Sequence, residues 1–565
     1  MNIREITGAA FASAKFDNLE TDAPRPEARG GRLFIDPALL RAVSEEAFRR
    51  SAFRLRRTHL AALARILEEP GASENDRAVA ETLLRNALVA SEGKLPLCQD
   101  TGTATVVAWK DESVATGAGD AEELAEGARR AYTRNNLRSS LLGVSGIFEE
   151  FDTGDNLPMQ VHIEAESDGE PGPSYRFIFI AKGGGSANKT SFFQMTKALL
   201  EEKTLEAFLK EKIAALGTAA CPPYRLALVI GGTSPEENLR ILKLATTELL
   251  DAAPPFVSGG EDQARARERG WIRRDNEWEE RLMEIARTSG IGAQFGGSAL
   301  ALDARVLRLP RHAASCPVSL GVSCSAHRNV LAVIDADGVR IERLEADPAA
   351  YLRFLGGGAE RVVLRAEEAA SAPKSPTARP SGTRIPLDRP MAQLSADLSS
   401  RKIGDRLLLT GPLLLARDAA HLKWHALLAA GNPLPEYLLR YAIFYAGPAA
   451  TPPGMVIGSL GPTTAQRMDG YAEELMSRGA SLVTLAKGNR APSWTDACKK
   501  YGGFYLGTIG GAAAILARDS VISNEIVDYP ELGMEAVRLI QVVDLPAFLI
   551  VDDKGKELYS MLRRT

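Results

Sequence analysis

The chain has 565 residues, a formal net charge of −4, 45% apolar residues and 25% charged ones. That length exceeds one ordinary core, so two or more domains are expected, and the near-neutral balance argues against bulk binding to nucleic acid or an anionic membrane. Five cysteines, sparse and odd in number, make no disulfide framework and point to a reducing compartment, taken as the cytoplasm. The start, Met1 to Thr7, has no basic residues leading into an apolar run, so no signal peptide is expected. No stretch reaches the roughly 20 apolar residues of a spanning helix.

From Pro37 to about Ala90 the pattern is helical, with Leu39, Leu40 and Val43, then Leu60, Leu63, Ile66 and Leu67 on one face. Next comes Leu95-Pro96-Leu97-Cys98-Gln99-Asp100-Thr101-Gly102-Thr103, a cysteine set against a carboxylate in a turn. Tyr175 to Ile180 reads as a strand, followed by Ala181-Lys182-Gly183-Gly184-Gly185-Ser186-Ala187-Asn188-Lys189 and a helix from about Thr190. The glycine run lacks the endings of a nucleotide loop, so neither ATP nor NAD is expected. Its free N–H groups, with Lys182 or Lys189, suit a carboxylate. A second strand, Tyr224 to Ile230, ends in Gly231-Gly232-Thr233-Ser234, where Ser234 suits a helix cap, Pro235 the first turn, and Glu237 the third position after the cap. Both units place Gly-rich backbone at strand ends, where α/β proteins bind ligands.

Further on, Glu261 to Glu280 is charge-dense and reads as a surface helical excursion, and Val306 to Leu309 leads into Arg311-His312. Ala366 to Thr383 has linker composition. The predicted architecture is multidomain α/β: an N-terminal α/β domain over 1–365, a linker over 366–383, and a C-terminal swivelling domain over 384–565. In that last domain Arg406 to Leu415, Gly454 to Ile457, Leu482 to Ala486 and Ala547 to Val551 read as strands.

Cys98, Cys221 and Cys324 each lie in a Gly-, Ser- or Pro-containing loop, while Cys316 and Cys498 sit in core-like and helical contexts. A single cysteine beside apolar residues is ordinarily a small buried hydrophobe. Three from separate loops, without a CxxC mate, raise a shared metal centre but do not specify one. Arg417, Arg467 and Lys487 stand in or near glycine-containing turns, which suits a small polyanion held by planar forks.

These segments resemble the class I, iron–sulfur-dependent fumarate hydratases over nearly the whole chain. The resemblance rests on Cys98-Gln99-Asp100-Thr101-Gly102, the run Ala181 to Lys189, Ile230-Gly231-Gly232-Thr233-Ser234, and Leu309-Pro310-Arg311-His312-Ala313-Ala314-Ser315-Cys316-Pro317. Gly461-Pro462-Thr463-Thr464-Ala465-Gln466-Arg467-Met468-Asp469 and Ala486-Lys487-Gly488-Asn489-Arg490 complete it.

The resemblance implies interconversion of fumarate and L-malate on a [4Fe–4S] cluster held by Cys98, Cys221 and Cys324, with a fourth iron open as a Lewis acid. Thr463 matches the base, and Asp100 and His312 match further catalytic residues. Gln99, Arg138, Gly184, Arg417, Arg467 and Lys487 match substrate contacts. A homodimer without nucleic-acid or membrane partners is implied too. Thr463 needs an activating neighbour, for which Asp469 and Lys487 are candidates.

Arg225, His327 and Ser298 depart from residues common in the family, which bears on substrate choice. Tartrate dehydration and mesaconate hydration are the alternatives on the same scaffold. A non-catalytic iron–sulfur sensor and a zinc hydrolase are readings of other classes.

Overall fold

The computed structural model describes residues 3–117, 119–167, 172–256, 272–352 and 382–562. The helical stretch forms Pro37–Phe53, Arg57–Glu68 and Glu74–Ser91. Caps set two of the starts. Asp36 accepts from Ala38 N ahead of Pro37, and Ser73 and Asp76 form a reciprocal capping box.

Two large sheets precede residue 353, beside a three-stranded and a two-stranded one. The first has six strands in the order Phe16–Asn18, Gly338–Glu342, Asn329–Asp335, Tyr175–Lys182, Thr103–Asp111, Gln160–Glu166. The second has five, in the order Ser191–Met195, Cys316–Ser323, Tyr224–Gly232, Ala301–Arg311, Arg273–Arg274. Their side chains alternate between layers, as the two-residue period of a strand demands. Phe177 and Phe179 face a core shared with Leu39, Leu40, Val43 and Phe48, whereas Ile178 and Ile180 face Ala227, Val229 and Leu307 of the second sheet. Leu226, Leu228 and Ile230 turn the other way, towards helices Glu202–Leu216 and Asn276–Thr288. Four layers result: helix, sheet, sheet, helix.

A third large sheet, of seven strands, is built from Thr383 onwards, and its strand Arg406–Leu415 pairs both with Ile443–Phe444 and with the long strand Val537–Val551. The sheet thereby closes on itself. The fold is mixed α/β, as expected.

Some local expectations change. The segment after the glycine run is a short helix, Gly184–Asn188, then a strand, Ser191–Met195, and the long helix begins only at Glu202. Phe192 and Phe193 favour that strand and pair with Ser319 and Val318. Gly454 to Ile457 is turn and bend, following Pro452-Pro453, which cannot donate to a ladder. Of the charge-dense stretch, 261–271 lies outside the described residues, and the rest forms the strand Arg273–Arg274 and then enters helix Asn276–Thr288. Most of the expected linker, 366–381, is likewise outside them, and Thr383 already opens a strand. Ser234 caps Pro235–Ala245 as foreseen, but Glu237 reaches back to Thr233 N.

Candidate active site

Three loops bring the cysteines to one corner. Cys98 lies in the turn feeding Thr103–Asp111, Cys221 just before Tyr224–Gly232, and Cys324 directly after Cys316–Ser323. Register puts these ends together: Thr103 pairs with Lys182, Asn329 with Ile180, and Arg225 with Ser323. Cys324 therefore sits where the chain crosses from the second sheet to the first. Ser325 N donates to the Cys221 carbonyl at 3.1 Å, tying two of the loops directly. None of the five cysteines is disulfide-bonded.

The three thiols lie within electrostatic reach of one another. Burial pushes Cys98 and Cys221 up, Cys221 to about 11, with Cys324 adding to the rise of both and Cys98 to that of Cys221. Such a trio ionises together only against a strong positive charge. Among the described residues no three His, Cys, Asp or Glu side chains are arranged to hold a single metal ion.

Cations line the corner. Lys487 Nζ donates to Cys221 Sγ at 2.8 Å. Burial alone would lower the pKa of Lys487, but Cys221 and Cys98 outweigh it and keep the ammonium charged. Arg138 Nη2 meets Asp100 Oδ1 at 3.2 Å, while Asp100 Oδ2 accepts from Gly184 N at 2.8 Å. The anion held by the glycine run is thus Asp100 itself. Burial would raise this carboxyl, yet Arg138 and Arg328 hold it below the usual carboxylate range. Thr101 Oγ1 accepts from Arg138 N and donates to its carbonyl, both at 3.0 Å, which fixes Arg138 to the Cys98 turn.

The third sheet supplies the remainder. Gln99 Nε2 donates to the Pro462 carbonyl at 3.1 Å, placing Thr463 beside the Cys98 turn. Arg467 Nη1 donates to Thr463 Oγ1 at 3.3 Å, and Arg467 Nη2 meets Asp418 at 2.8 Å. Arg417, next in chain to Asp418, pairs with Glu535. Arg138 closes the ring, with Nη1 at 3.5 Å from the Gly447 carbonyl. The loop carrying Thr463 is laced to the one carrying Lys487: Lys487 N donates to Thr463 O at 3.1 Å and Ala465 N to Lys487 O at 2.9 Å.

Several expected residues stand elsewhere. His312 is exposed in the turn between Ala301–Arg311 and Cys316–Ser323. Tyr224 pairs with Ala301 and Gly232 with Arg311, so His312 and the Gly231–Ser234 loop occupy the far end of the sheet. At the rise of a strand that is about 25 Å from Cys221, and the chain does not bring its own His312 to the cysteine corner. Lys182 Nζ donates to Thr246 Oγ1 and Lys189 Nζ to the Ala215 carbonyl, so neither serves the glycine run. Asp469 is held by Arg490 at 2.8 Å and by Ala491 N.

The three departures are structural. Arg225 and His327 share one carboxylate, Glu248, each at 3.4 Å, and Ser298 N donates to Asp76. Sequence reasoning passed over Arg328, buried among Cys98, Cys324 and Asp100. The available signal was a basic residue directly preceding an apolar strand.

The fold and this corner define an α/β enzyme whose clustered thiols face a ring of arginine and lysine. The family model for fumarate hydratase matches residues 41–333, and the one for the fumarase C-terminus matches 341–562. The chain is 49% identical to fumarate hydratase 2 of Leishmania major, over 94% of this chain and 88% of the relative. It is 47% identical to the anaerobic class I fumarate hydratase of Escherichia coli strain K12, over 94% and 91%. A third relative, fumarate hydratase 1, mitochondrial, of Leishmania major, is 43% identical over 94% and 91%. The chain belongs to the class I fumarate hydratase family. It is a hydro-lyase of that family, which sets aside the non-catalytic sensor.

Proposed function

We propose that this chain reversibly hydrates fumarate to L-malate, with Cys98, Cys221 and Cys324 holding a [4Fe–4S] cluster and Thr463 acting as the base. The observation that carries the reading is the meeting of three neighbouring thiols with Thr463 inside a ring of Arg138, Arg417, Arg467 and Lys487. Three thiolates suit a polynuclear group, which distributes its ligands over several metal atoms. When bound, the cluster supplies a Lewis acid at an iron that has no protein ligand.

The chain's own residues account for the rest. A dicarboxylate brings two negative charges, and each guanidinium has five donors, of which Asp100, Asp418 and Glu535 occupy only some. Those carboxylates orient the forks. Thr463 takes the proton from C3 of malate and returns it during hydration. Charge then builds on the adjacent carboxylate, and the cations stabilise that state more than the ground state. A threonine hydroxyl is a weak base, and the donor on its oxygen is Arg467 Nη1. That N–H favours the alkoxide form. Arg467 replaces Asp469 and Lys487 as the activating neighbour, because those two face Arg490 and Cys221.

A second reading, tartrate or mesaconate as the preferred substrate, draws on a cavity of about 220 Å³ that Arg138 borders together with Ser139, Asp152 and Arg538. The domain division, a homodimer and a cytoplasmic location belong to the same proposal. The location rests on the unpaired cysteines, since a relative named mitochondrial shows that membership alone does not fix the compartment. No helix among the described residues is long and apolar enough to cross a membrane.

The test is anaerobic reconstitution with iron and sulfide, followed by turnover of fumarate, tartrate and mesaconate on one preparation. Fumarate turnover that dominates the other two is expected. A preparation with a full cluster and no fumarate turnover overturns the reading.

A further inference from the structure

Arg328 is the last residue of the crossover from the second sheet to the first, and its carbonyl accepts from Ala181 N at 3.0 Å. It is 3% exposed. Its Nε and Nη1 are buried without a hydrogen-bond partner, and among the described residues no carboxylate forms a salt bridge with it. A buried guanidinium in that state is costly unless an anion compensates it.

The nearest carboxylate provides only part of that compensation. A Cβ placed on Gly183 would lie 3.3 Å from Arg328 Nη2 and 3.1 Å from Asp100 Oδ2, so the two groups are neighbours. Asp100, however, spends its oxygens on Arg138, Gly184 N and Gly102 N. The other groups in reach that can carry negative charge are sulfur: Cys98 and Cys324 act on Arg328 ahead of Asp100. The flanks are rigid. Asn329 Nδ2 meets His327 Nε2 at 3.0 Å, and Ser323 Oγ meets His327 Nδ1 at 2.6 Å.

We propose that Arg328 is the fixed counter-cation of the three-cysteine centre, supplying one positive charge and two donor nitrogens, Nε and Nη1, to the sulfur atoms of the cluster. This rests on the cluster reading above. It makes Arg328 a positioning and tuning residue that touches no substrate. A fixed positive charge favours the more reduced, more negative state of an iron–sulfur group and so raises its midpoint potential.

The experiment compares the full-length wild type, Arg328→Met and Arg328→Lys after anaerobic reconstitution. Iron and sulfide per chain, the midpoint potential from an EPR-monitored redox titration, and the decay of cluster absorbance in air are measured. The methionine variant is expected at a more negative potential, with air decay several-fold faster, or folded by circular dichroism but short of cluster. The lysine variant, which keeps the charge, is expected near the wild-type potential. A methionine variant with wild-type cluster content, potential and air lifetime overturns the proposal. So does a lysine variant displaced as far as the methionine one. A wild type that takes up no iron and sulfide overturns the cluster reading itself, a different failure from the previous two.

Discussion

Thr463 and its donor Arg467 lie on one turn of chain, Ala465–Tyr471 beginning between them. Truncating Thr463 to Ala removes the hydroxyl and leaves the cysteine loops alone. Turnover is expected to fall by about 100-fold or more, while the cluster absorbance stays at the wild-type level. Surviving turnover would remove Thr463 as the base. Gly510 bears on the metal side of the same corner. A Cβ there would collide with Cys221 Sγ and crowd Lys487 Cδ at 3.1 Å. Gly510→Ala is therefore expected to fold but to bind less iron and sulfide per chain. Full occupancy would show that the Cys221 loop can give way.

At the scale of elements, the start of helix Asp418–Ala429 carries Arg417 to the site. His421 on that helix faces the Arg417 carbonyl through Nδ1 at 2.8 Å, so Nδ1 carries the proton and donates. Trp424, Tyr445 and Tyr471 surround the ring. Burial pulls its pKa down from 6.5 to about 4. Between those values the unfolded chain takes up a proton that the folded chain refuses. Stability is therefore lost as pH falls from 6.5 towards 4, by up to about 3 kcal/mol for this residue. His59, pulled down to about 3, acts with the same sign. Urea midpoints at pH 7 and pH 5 check this, and His421→Gln should flatten part of the slope.

A second element-scale anchor is Asp76, a fully buried carboxylate at the start of Glu74–Ser91. It accepts from Ser73 N, Ala293 N and Ser298 N. Asp76→Ala leaves those donors unpaired. The expected cost is about 2–3 kcal/mol, read as an earlier urea midpoint. An unchanged midpoint would mean that water replaces the carboxylate.

For the whole molecule, the catalytic corner is a seam between chain segments hundreds of residues apart. One continuous apolar core runs from Leu60, Leu83 and Phe295 to Leu409, Phe444 and Phe548. Phe295 and Phe548 stack across it with centroids 3.9 Å apart. Two buried amides pin the seam behind the cysteines. Gln294 Nε2 donates to Pro222 O and Gly510 O, and Asn86 Nδ2 to Leu97 O and Gly511 O. Loosening this core should separate Cys98 and Cys221 from Thr463 and Lys487. Phe295→Ala is expected to cost about 3–5 kcal/mol in urea unfolding. The same variant should lower turnover although it touches no substrate. Wild-type turnover at full occupancy would show that the seam's position does not depend on this stack.

The sequence alone determined what is local or carried by pattern. Short apolar runs marked the strands Tyr175–Lys182 and Arg406–Leu415, helical spacing marked the stretch from Pro37, and Ser234 with Pro235 marked a helix start. The residue types of a three-thiol, polycationic centre were legible too, because each sits in a motif short enough to be read at a glance. What the tertiary structure decided is distance. Strand order and direction sent Cys98, Cys221 and Cys324 to one end of two stacked sheets and His312 to the other. Register also turned the glycine run onto Asp100 and left Arg328 buried without a carboxylate. Linear spacing cannot encode such facts, because a pairing between strands is a contact between residues far apart in the chain, settled by which faces must share a core.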